Sequence, residues 1–296
     1  MLDLARASDR AEDDFLSPVV NRPAEWTSLG GLVPDRLGPY RLVRLLGRGA
    51  MGAVYEAVQE TPIARRVAVK VLSTLIDPAL VSRRFEFERD ALSRLDHPGI
   101  AKILDAGVAE SGHPFLVMEI VDGMPLNEFC SARRLPLIDR LRLFASIAEA
   151  VHHAHARGIL HRDLKPQNVL VTTTSGTPTA KIIDFGVAKL LVSPPGAPDS
   201  RTLTGQIFGT PGYMAPEQVS FSPGGVDVRA DVYSLGVVLH ELITGVLPSE
   251  QGPRIPPSQV RAQPEARADV GNVSGSTGEL DCIVLKSIER DRELPG

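Results

Sequence analysis

The feature that most constrains this chain is the octapeptide HRDLKPQN, His161 to Asn168, which runs directly into the apolar segment VLV. A charged cluster beside a strand is a poor way to build a core, because an unpaired buried charge costs free energy. One interpretation is a solvated charged loop. The other is an active centre, in which Asp163 accepts a hydroxyl proton, Lys165 neutralises phosphoryl charge and Asn168 offers a neutral oxygen to Mg²⁺.

The tripeptide DFG, beginning at Asp184, favours the second interpretation. It follows the apolar segment AKII, so a carboxylate again stands where a short strand ends. A carboxylate in that place, with a glycine beside it, suits a metal ligand because Mg²⁺ prefers oxygen donors. The interpretation as a merely solvated loop is weakened accordingly.

A glycine-rich segment, GRGAMGAV, carries Gly47, Gly49 and Gly52 in the pattern G-x-G-x-x-G-x-V. Glycines allow a backbone to approach phosphate closely, and exposed N–H groups can bind the phosphate oxygens. The pattern alone is weak, because glycine-rich hairpins are common. It lies between two predicted strands, which argues against a dinucleotide-binding fingerprint, since that motif needs a helix after the glycines.

Lys70 stands among valines in the predicted strand RRVAVKVL. A lysine there is costly unless it is paired. One interpretation is a snorkelling or edge-strand lysine. The other is a phosphate clamp held by a carboxylate of the following helix, where the spacing places Glu88 on the inward face and Glu86 off it.

Composition restricts the class of protein. The 296 residues include 43% hydrophobic and 23% charged residues, and the formal net charge of -4 gives no sign of a nucleic-acid partner. Cys130 and Cys282 match no zinc or redox spacing, which favours a reducing compartment. We see no secretion signal and no apolar run near the roughly 18 residues of a membrane span, so we expect a cytoplasmic chain without a membrane segment.

Patterning along the chain predicts a leader and two lobes. Residues 1–37 are polar and aperiodic, which is typical of disorder. Residues 38–122 are rich in alternating strand patterns with one helix from about residue 79 to residue 95. Residues 123–296 contain two long helical patterns. Three clustered histidines lack the i, i+4 spacing of a zinc site and indicate a partly exposed helix face; they are His152, His153 and His155.

The segments GRGAMGAV, VAVK, HRDLKPQN, DFG and APE occur in the order of the signature motifs of eukaryotic-type protein kinases. Over roughly residues 38–290 the chain resembles that family, and its sequence is most similar to those of bacterial serine/threonine kinases. The resemblance implies an α+β, bilobal protein-kinase-like fold, with a small antiparallel-sheet N-lobe holding one helix and a mainly helical C-lobe. It also implies transfer of the γ-phosphate of ATP, with Mg²⁺, to Ser or Thr of a protein substrate.

The resemblance further implies a role for each matching residue. Asp163 is the catalytic base, and Lys165 meets the γ-phosphate. Lys70, paired with Glu88, contacts the α- and β-phosphates. The Mg²⁺ ligands are Asn168 and Asp184. The other nucleotide-binding residues surround ATP, with Met118 at the back of the adenine pocket and Glu119 to Val121 as the hinge; they are Gly47, Gly49, Gly52, Val54, Ala68, Met118, Glu119 and Val121.

Two features of the resemblance concern substrate and regulation. Lysine two places after the catalytic base, together with GTPGYMAPE and its Thr210, is similar to the serine/threonine branch. Arg162 before the base is typical of kinases switched on by phosphorylation of the activation loop. We predict autophosphorylation at Thr202 or Thr204, and a homodimer would allow it in trans. The alternative is that both threonines are ordinary polar loop residues.

The C-terminal segment LDCIVLKSIERDRELPG departs from the family pattern. It resembles the penultimate helix of the large lobe, but Pro295 stands where the arginine that pairs with Glu217 belongs. We therefore expect a truncated C-lobe and a Glu217 without that partner, at a cost of about 3–5 kcal/mol if the pair is buried. The alternative function is an ATP-binding but inactive scaffold or a truncated kinase fragment.

Overall fold

The computed structural model describes residues 35–49, 52–72, 95–174, 176–185, 210–220, 226–249, 254–261 and 277–289. Three predicted site residues and most of the predicted leader and small-lobe helix lie outside these ranges; the site residues are Glu88, Thr202 and Thr204. The predicted boundary between residues 37 and 38 is too late, because Leu37 is buried and pairs with Tyr40.

An antiparallel sheet of six strands forms the small lobe, in the order β1-β2-β3-β4-β6-β5. The strands are β1 (Arg36–Leu37), β2 (Tyr40–Gly49), β3 (Gly52–Gln59), β4 (Arg65–Leu72), β5 (Ile103–Val108) and β6 (Pro114–Glu119). From Val67 to Leu72, β4 is buried on both faces, which explains its continuous apolar pattern. Its alternate residues Ala68 and Lys70 face the large lobe, because both line the cleft described below.

The large lobe combines helices with a second sheet of three strands, β7 (Met124–Pro125), β8 (Val169–Thr174) and β9 (Thr177–Ile182). The helices described are α1 (Leu126–Ala132), α2 (Leu137–His155), α3 (Pro216–Ser220), α4 (Val228–Thr244), α5 (Pro257–Arg261) and α6 (Thr277–Ser287). Short 3-10 turns occupy Pro166–Asn168 and Pro211–Tyr213. No helix in these described ranges is both long enough and apolar enough to cross a bilayer.

Helix α4 is the central element of the large lobe. It begins after Asp227, whose carboxylate accepts a hydrogen bond from the N–H of Arg229, and ends at Gly245 in the left-handed conformation. Apolar residues are buried around most of its circumference, with Val228 and Val232 exposed near its start, and α2 and α6 both pack against it. At Gly236 a Cβ atom would lie 2.5 Å from that of Ser287, so only glycine permits this approach of α6.

The architecture confirms the predicted class, an α+β bilobal fold with an antiparallel small-lobe sheet and a mainly helical large lobe. The two lobes join where β6 ends at Glu119, and the chain continues through Val121 and Gly123 into β7. This short junction is called the hinge below, defined as residues 119–123.

Candidate active site

A cleft with a volume of about 820 Å³ lies between the small-lobe sheet and the large lobe. Its size is that of sites for small molecules and cofactors, about 300–1,000 Å³. The fold brings together here all the predicted nucleotide, metal and catalytic residues that the structure describes, and Thr210. They are Gly47, Gly49, Gly52, Val54, Ala68, Lys70, Met118, Glu119, Val121, Asp163, Lys165, Asn168, Asp184 and Thr210.

The glycine hairpin covers the cleft from the small lobe. Gly52 has φ of 143°, and a Cβ atom there would lie 2.0 Å from the carbonyl oxygen of Val71. Gly47 and Gly49 differ from Gly52. A Cβ atom on either of them would have no described residue within 4 Å, apart from its own neighbours in the chain. The end of β2 therefore presents bare backbone to open space, the condition for close approach of a phosphate.

An apolar slot lies beside the hinge. Ala68 on β4 is paired with Met118 on β6, and both are buried. Val54 and Leu170 line the cleft from opposite lobes. A slot with apolar walls on both sides suits a flat, weakly polar ring such as a purine base.

The HRDLKPQN loop holds its carboxylate in a fixed place. Asn168 donates through Nδ2 to the Asp163 carbonyl at 2.7 Å and to its Oδ2 at 3.2 Å. Lys165 Nζ lies 3.2 Å from the same carboxylate oxygen and donates to Thr210 Oγ1 at 2.8 Å. The acid of this loop therefore has a cation and an amide as immediate neighbours, and all three face the cleft.

Lys70 is buried, and its ammonium group forms an ion pair with Asp184 Oδ2. Its strand β4 lies between β3 and β6, so the interpretation as an edge-strand lysine is wrong. The predicted pairing with Glu88 lies outside the described residues and stays a prediction. Since an unpaired buried lysine is costly, the ion pair to Asp184 accounts for its presence in an apolar strand.

The residues around Asp184 fit a divalent metal ion. Asp184 Oδ1 is buried, and among the described residues nothing donates a hydrogen bond to it. The N–H of Ile183 donates to the backbone carbonyl of Asn168 at 2.9 Å, so the segments that carry Asp184 and Asn168 are bonded to each other. Asn168 donates through Nδ2, so its Oδ1 remains an acceptor. Both residues line the cleft, and carboxylate and amide oxygens are the hard ligands that Mg²⁺ prefers.

A buried carboxylate on α4 anchors the HRDLKPQN loop. Asp231, only 1% exposed, accepts hydrogen bonds from His155 Nε2 at 2.8 Å and from the N–H groups of His161 and Arg162 at 2.7 and 2.8 Å. Burial would raise the pKa of Asp231, but these partners, led by His155, hold that pKa below its ordinary value. Arg162 has φ of 64°, so its backbone is strained where the anchor holds it.

Sequence reasoning missed this anchor. It predicted a partly exposed helix face, which agrees with the burial of the three histidines, but it did not predict that the half-buried His155 bonds the buried Asp231. The available signal was Asp231 itself, an acid within the apolar pattern RADVYSLGVV. An acid on a buried helix face needs donors, but the sequence does not indicate which segments supply them.

His161 lies between the loop that carries Asp163 and the segment that leads into Asp184. Its Nδ1 lies 3.3 Å from the N–H of Asp163, and its Nε2 lies 3.2 Å from the carbonyl of Ile183. A neutral ring protonated on Nε2 satisfies both contacts. Complete burial lowers the pKa of His161, which favours that neutral form. The ring also packs against Phe185, with centroids 4.8 Å apart.

Helix α3 is tied to the same loop. The Gln218 amide donates to the carbonyl of Arg162 at 3.1 Å and accepts from the N–H of Ala215 at 3.0 Å. Glu217 is buried and has an interaction partner, so it is not left unpaired. The segment APE is therefore held against the HRDLKPQN loop. The expected absence of the family arginine of Glu217 concerns Pro295, which lies outside the described residues, and stays a prediction.

Comparison with known proteins gives a consistent result. The model of the protein kinase domain family matches residues 40–272. Serine/threonine-protein kinase Pkn1 of Myxococcus xanthus is 40% identical over 271 residues, which is 88% of this chain and 37% of Pkn1. Serine/threonine-protein kinase PknA of Mycobacterium tuberculosis is 42% identical over 221 residues, which is 71% of this chain and 48% of PknA.

Among solved structures, the PknI kinase domain of Mycobacterium tuberculosis is similar with a TM-score of 0.62 at 28% identity. The match covers 88% of this chain and 92% of that domain. The chain spans less than half the length of the curated relatives Pkn1 and PknA.

Proposed function

This chain belongs to the protein kinase family, and on that premise we propose that it transfers the γ-phosphate of ATP to a serine or threonine hydroxyl of a protein substrate. The observation that carries the proposal is the convergence of Lys70, Asp163, Lys165, Asn168 and Asp184 in one cleft. Phosphoryl transfer needs mainly positioning and neutralisation of charge, and this set of residues is suited to both.

In the proposed reaction the substrate hydroxyl oxygen attacks the γ-phosphorus while Asp163 accepts the hydroxyl proton. The bond between the γ-phosphorus and the bridging oxygen breaks, and ADP leaves. Lys165, beside Asp163 and Thr210, balances negative charge on the phosphoryl group in transit. Lys70 holds the α- and β-phosphates from the small lobe.

We further assign the remaining cleft residues by their positions. Val54, Ala68 and Met118 wall the adenine, and the backbone of Glu119 to Val121 meets its edge. Gly47, Gly49 and Gly52 cover the phosphates. Asp184 and Asn168 would hold Mg²⁺, which when bound neutralises charge on the phosphates.

The test is transfer of radiolabel from [γ-³²P]ATP with Mg²⁺ to the chain itself and to a generic protein substrate. Asp163→Asn keeps the size of the side chain but removes the base, so we expect a loss of about 10²-fold or more. Asp96→Asn is the matched control, because Asp96 is an exposed acid whose ion-pair partner is Lys102.

If wild type and Asp163→Asn both bind ATP and neither transfers label, catalysis is contradicted and the inactive-scaffold alternative takes its place. Equal losses in Asp163→Asn and Asp96→Asn would contradict the role of Asp163. Retained activity in Asp96→Asn with loss in Asp163→Asn supports the proposal.

We also propose that phosphorylation of Thr202 or Thr204 activates the protein, by a second copy in trans. A phosphate carries about -1.5 to -2 charges at neutral pH and three acceptor oxygens, and an arginine can bind it. We propose Arg162 for that role. Peptide mapping after incubation with ATP measures the modified positions. Label at neither threonine in an active preparation contradicts this part of the proposal.

A further inference from the structure

Arg66 on β4 links the small-lobe sheet to the hinge. Its Nε donates to Glu56 Oε1 on β3 at 2.7 Å. Its Nη1 and Nη2 donate to the two carboxylate oxygens of Asp122 at 2.9 and 3.2 Å. Asp122 lies within the hinge, directly after Val121. A two-pronged contact of this kind fixes direction as well as distance.

The contact of Arg66 continues across the sheet. Glu56 is buried, and its other oxygen accepts from Arg44 Nε on β2 at 2.7 Å. Arg44 stands shortly before Gly47 on the strand that carries the glycine hairpin. Burial would raise the pKa of Glu56, but hydrogen bonds from Arg66 and Arg44 bring it below its ordinary value, so the acid stays charged. The hinge and β2 are thus connected through two arginines.

A second ion pair lies at the other end of the hinge. Lys181 on β9 in the large lobe donates to Glu119 Oε1 at 2.6 Å. Glu119 Oε2 accepts from the N–H of Lys102 at 3.2 Å. The side chains of Lys181 and Glu119 are 24% and 34% exposed, so this pair is better shielded from solvent than Arg66 and Asp122, at 49% and 68%.

The two ion pairs connect the lobes in opposite directions. Glu119 ends a small-lobe strand, yet its partner Lys181 belongs to the large lobe. Asp122 leads into the large lobe, yet its partner Arg66 belongs to the small lobe. Rotation of one lobe about the hinge changes both distances, so the pairs together favour one angle.

We propose that Arg66 and Lys181 are positioning residues that set the angle between the lobes, and with it the placement of the glycine hairpin over Asp163. The inference rests on the proposed function, because its consequence is the affinity for nucleotide. Neither residue lines the cleft, so each acts through the hinge rather than on the ligand.

The experiment measures the dissociation constant of a non-hydrolysable ATP analogue with Mg²⁺ for the full chain and its variants. Exposed ion pairs contribute about 0.2–1 kcal/mol, which corresponds to about 1.4- to 5-fold in an equilibrium constant. We expect Arg66→Met and Lys181→Met each to raise the dissociation constant by about 2- to 5-fold. Adding Asp122→Asn to Arg66→Met should raise the dissociation constant little further, since both substitutions remove the same contact between Arg66 and Asp122.

The matched control is Arg41→Met. Arg41 lies on β2 of the same sheet, and its Nε is paired with Glu60 at 3.1 Å with similar exposure, but it lies outside both hinge pairs. It should leave the dissociation constant unchanged. High salt should raise the wild-type value towards those of Arg66→Met and Lys181→Met, because salt screens exposed pairs.

A second measurement is independent of nucleotide. Spin labels at Ile63→Cys in the small lobe and Ile138→Cys in the large lobe, in a Cys282→Ser background, report the distance between lobes; both isoleucines are exposed. We expect a broader or shifted distance distribution in Arg66→Met and in Lys181→Met than in Arg41→Met.

Unchanged distance distributions in both hinge variants overturn the inference, as does a rise in the dissociation constant that is equal in Arg41→Met. A wild type that binds nucleotide but transfers no phosphate contradicts the proposed function alone, since both measurements remain valid. If wild type binds no nucleotide, the distance distributions alone test whether Arg66 and Lys181 set the angle between the lobes.

Discussion

His161 connects Asp163 with the segment that ends at Asp184, and it is completely buried while doing so. The neighbouring carboxylates favour a protonated ring, but desolvation is the larger effect and lowers the pKa of His161. Burial likewise lowers the pKa of His97 and of His240, which lies on α4. Three histidines therefore favour the neutral form in the folded protein.

From these shifts we predict that stability falls in mild acid. In the unfolded chain each histidine titrates near 6.5, whereas the folded values are lower, so below that pH the unfolded state binds more protons. The stabilisation is complete above pH 6.5 and is lost as pH falls, by about 1.4 kcal/mol per unit of pKa shift. Urea unfolding from pH 8 to pH 5 measures this change.

The control for the pH prediction is His240→Asn, which removes one of the three groups and should reduce the slope below pH 6.5. A free energy of unfolding that is constant or increases towards pH 5 would contradict the assignment of neutral buried histidines.

Residue chemistry was partly predictable. The motif residues Asp163, Lys165, Asn168 and Asp184 were expected as neighbours because short segments carry them beside apolar strands. Asp231 was not expected in that role, since its three donors come from residues at least 69 positions earlier in the chain. A sequence pattern contains the acid but not the fold that brings its donors to it.

Among the elements, the β2–β3 hairpin uses its glycines for two different reasons. Gly52 has a positive φ and lies against the backbone of β4, whereas Gly47 borders the cleft with open space around it. One glycine is needed for the strand pairing, and the other leaves room for a ligand. The sequence motif alone does not separate these reasons.

The two glycines should therefore differ on substitution by alanine. Gly52→Ala places a methyl group against a backbone carbonyl and strains φ, which should cost about 1–3 kcal/mol of stability. Gly47→Ala should change stability by less than about 0.5 kcal/mol, yet weaken nucleotide binding. Urea unfolding and nucleotide titration measure the two effects. Equal stability of Gly52→Ala and wild type would contradict the strand geometry.

Strand prediction succeeded where a segment was long and apolar. β4 was expected from RRVAVKVL. β6 covers the mainly apolar residues 114–119 but ends at Glu119, because the chain there becomes the hinge. β1 was not expected, because two residues give no period. Its existence depends on pairing with Tyr40 and Arg41 in β2.

At the scale of the whole molecule, the cleft lies between two lobes. Their buried apolar residues form one continuous cluster, to which Ala68, Leu116 and Met118 of the small lobe belong. A ligand in the cleft contacts both lobes, so it binds the folded chain and not the unfolded one. Such a ligand shifts the unfolding equilibrium by mass action.

ATP with Mg²⁺ should therefore raise the melting temperature. At 100 times the dissociation constant the gain is about 2.7 kcal/mol, and each kcal/mol corresponds to about 2–4 °C in a chain of this size, so we expect about 5–10 °C. A chelator, or Asp184→Asn, should reduce the shift. If ATP raises the melting temperature equally with a chelator and with Mg²⁺, the assignment of Asp184 as a metal ligand is contradicted.

The series of motifs predicted the two lobes and the cleft residues between them. It did not predict the ion pairs across the hinge, because Arg66, Asp122, Glu119 and Lys181 belong to no motif and meet only when the lobes are assembled. Nor did it predict that Glu217 has a partner, since the expectation followed one family arginine and not the surroundings of α3.

The position of Asp231 in the chain has a consequence for biosynthesis. The described residues that line the cleft all precede residue 214, whereas the carboxylate that orients His161 and Arg162 follows them. A polypeptide growing on the ribosome thus carries the described residues of the cleft before it carries Asp231, the anchor of the HRDLKPQN loop. The hydrogen bonds that hold this loop can form only after α4 has left the exit tunnel.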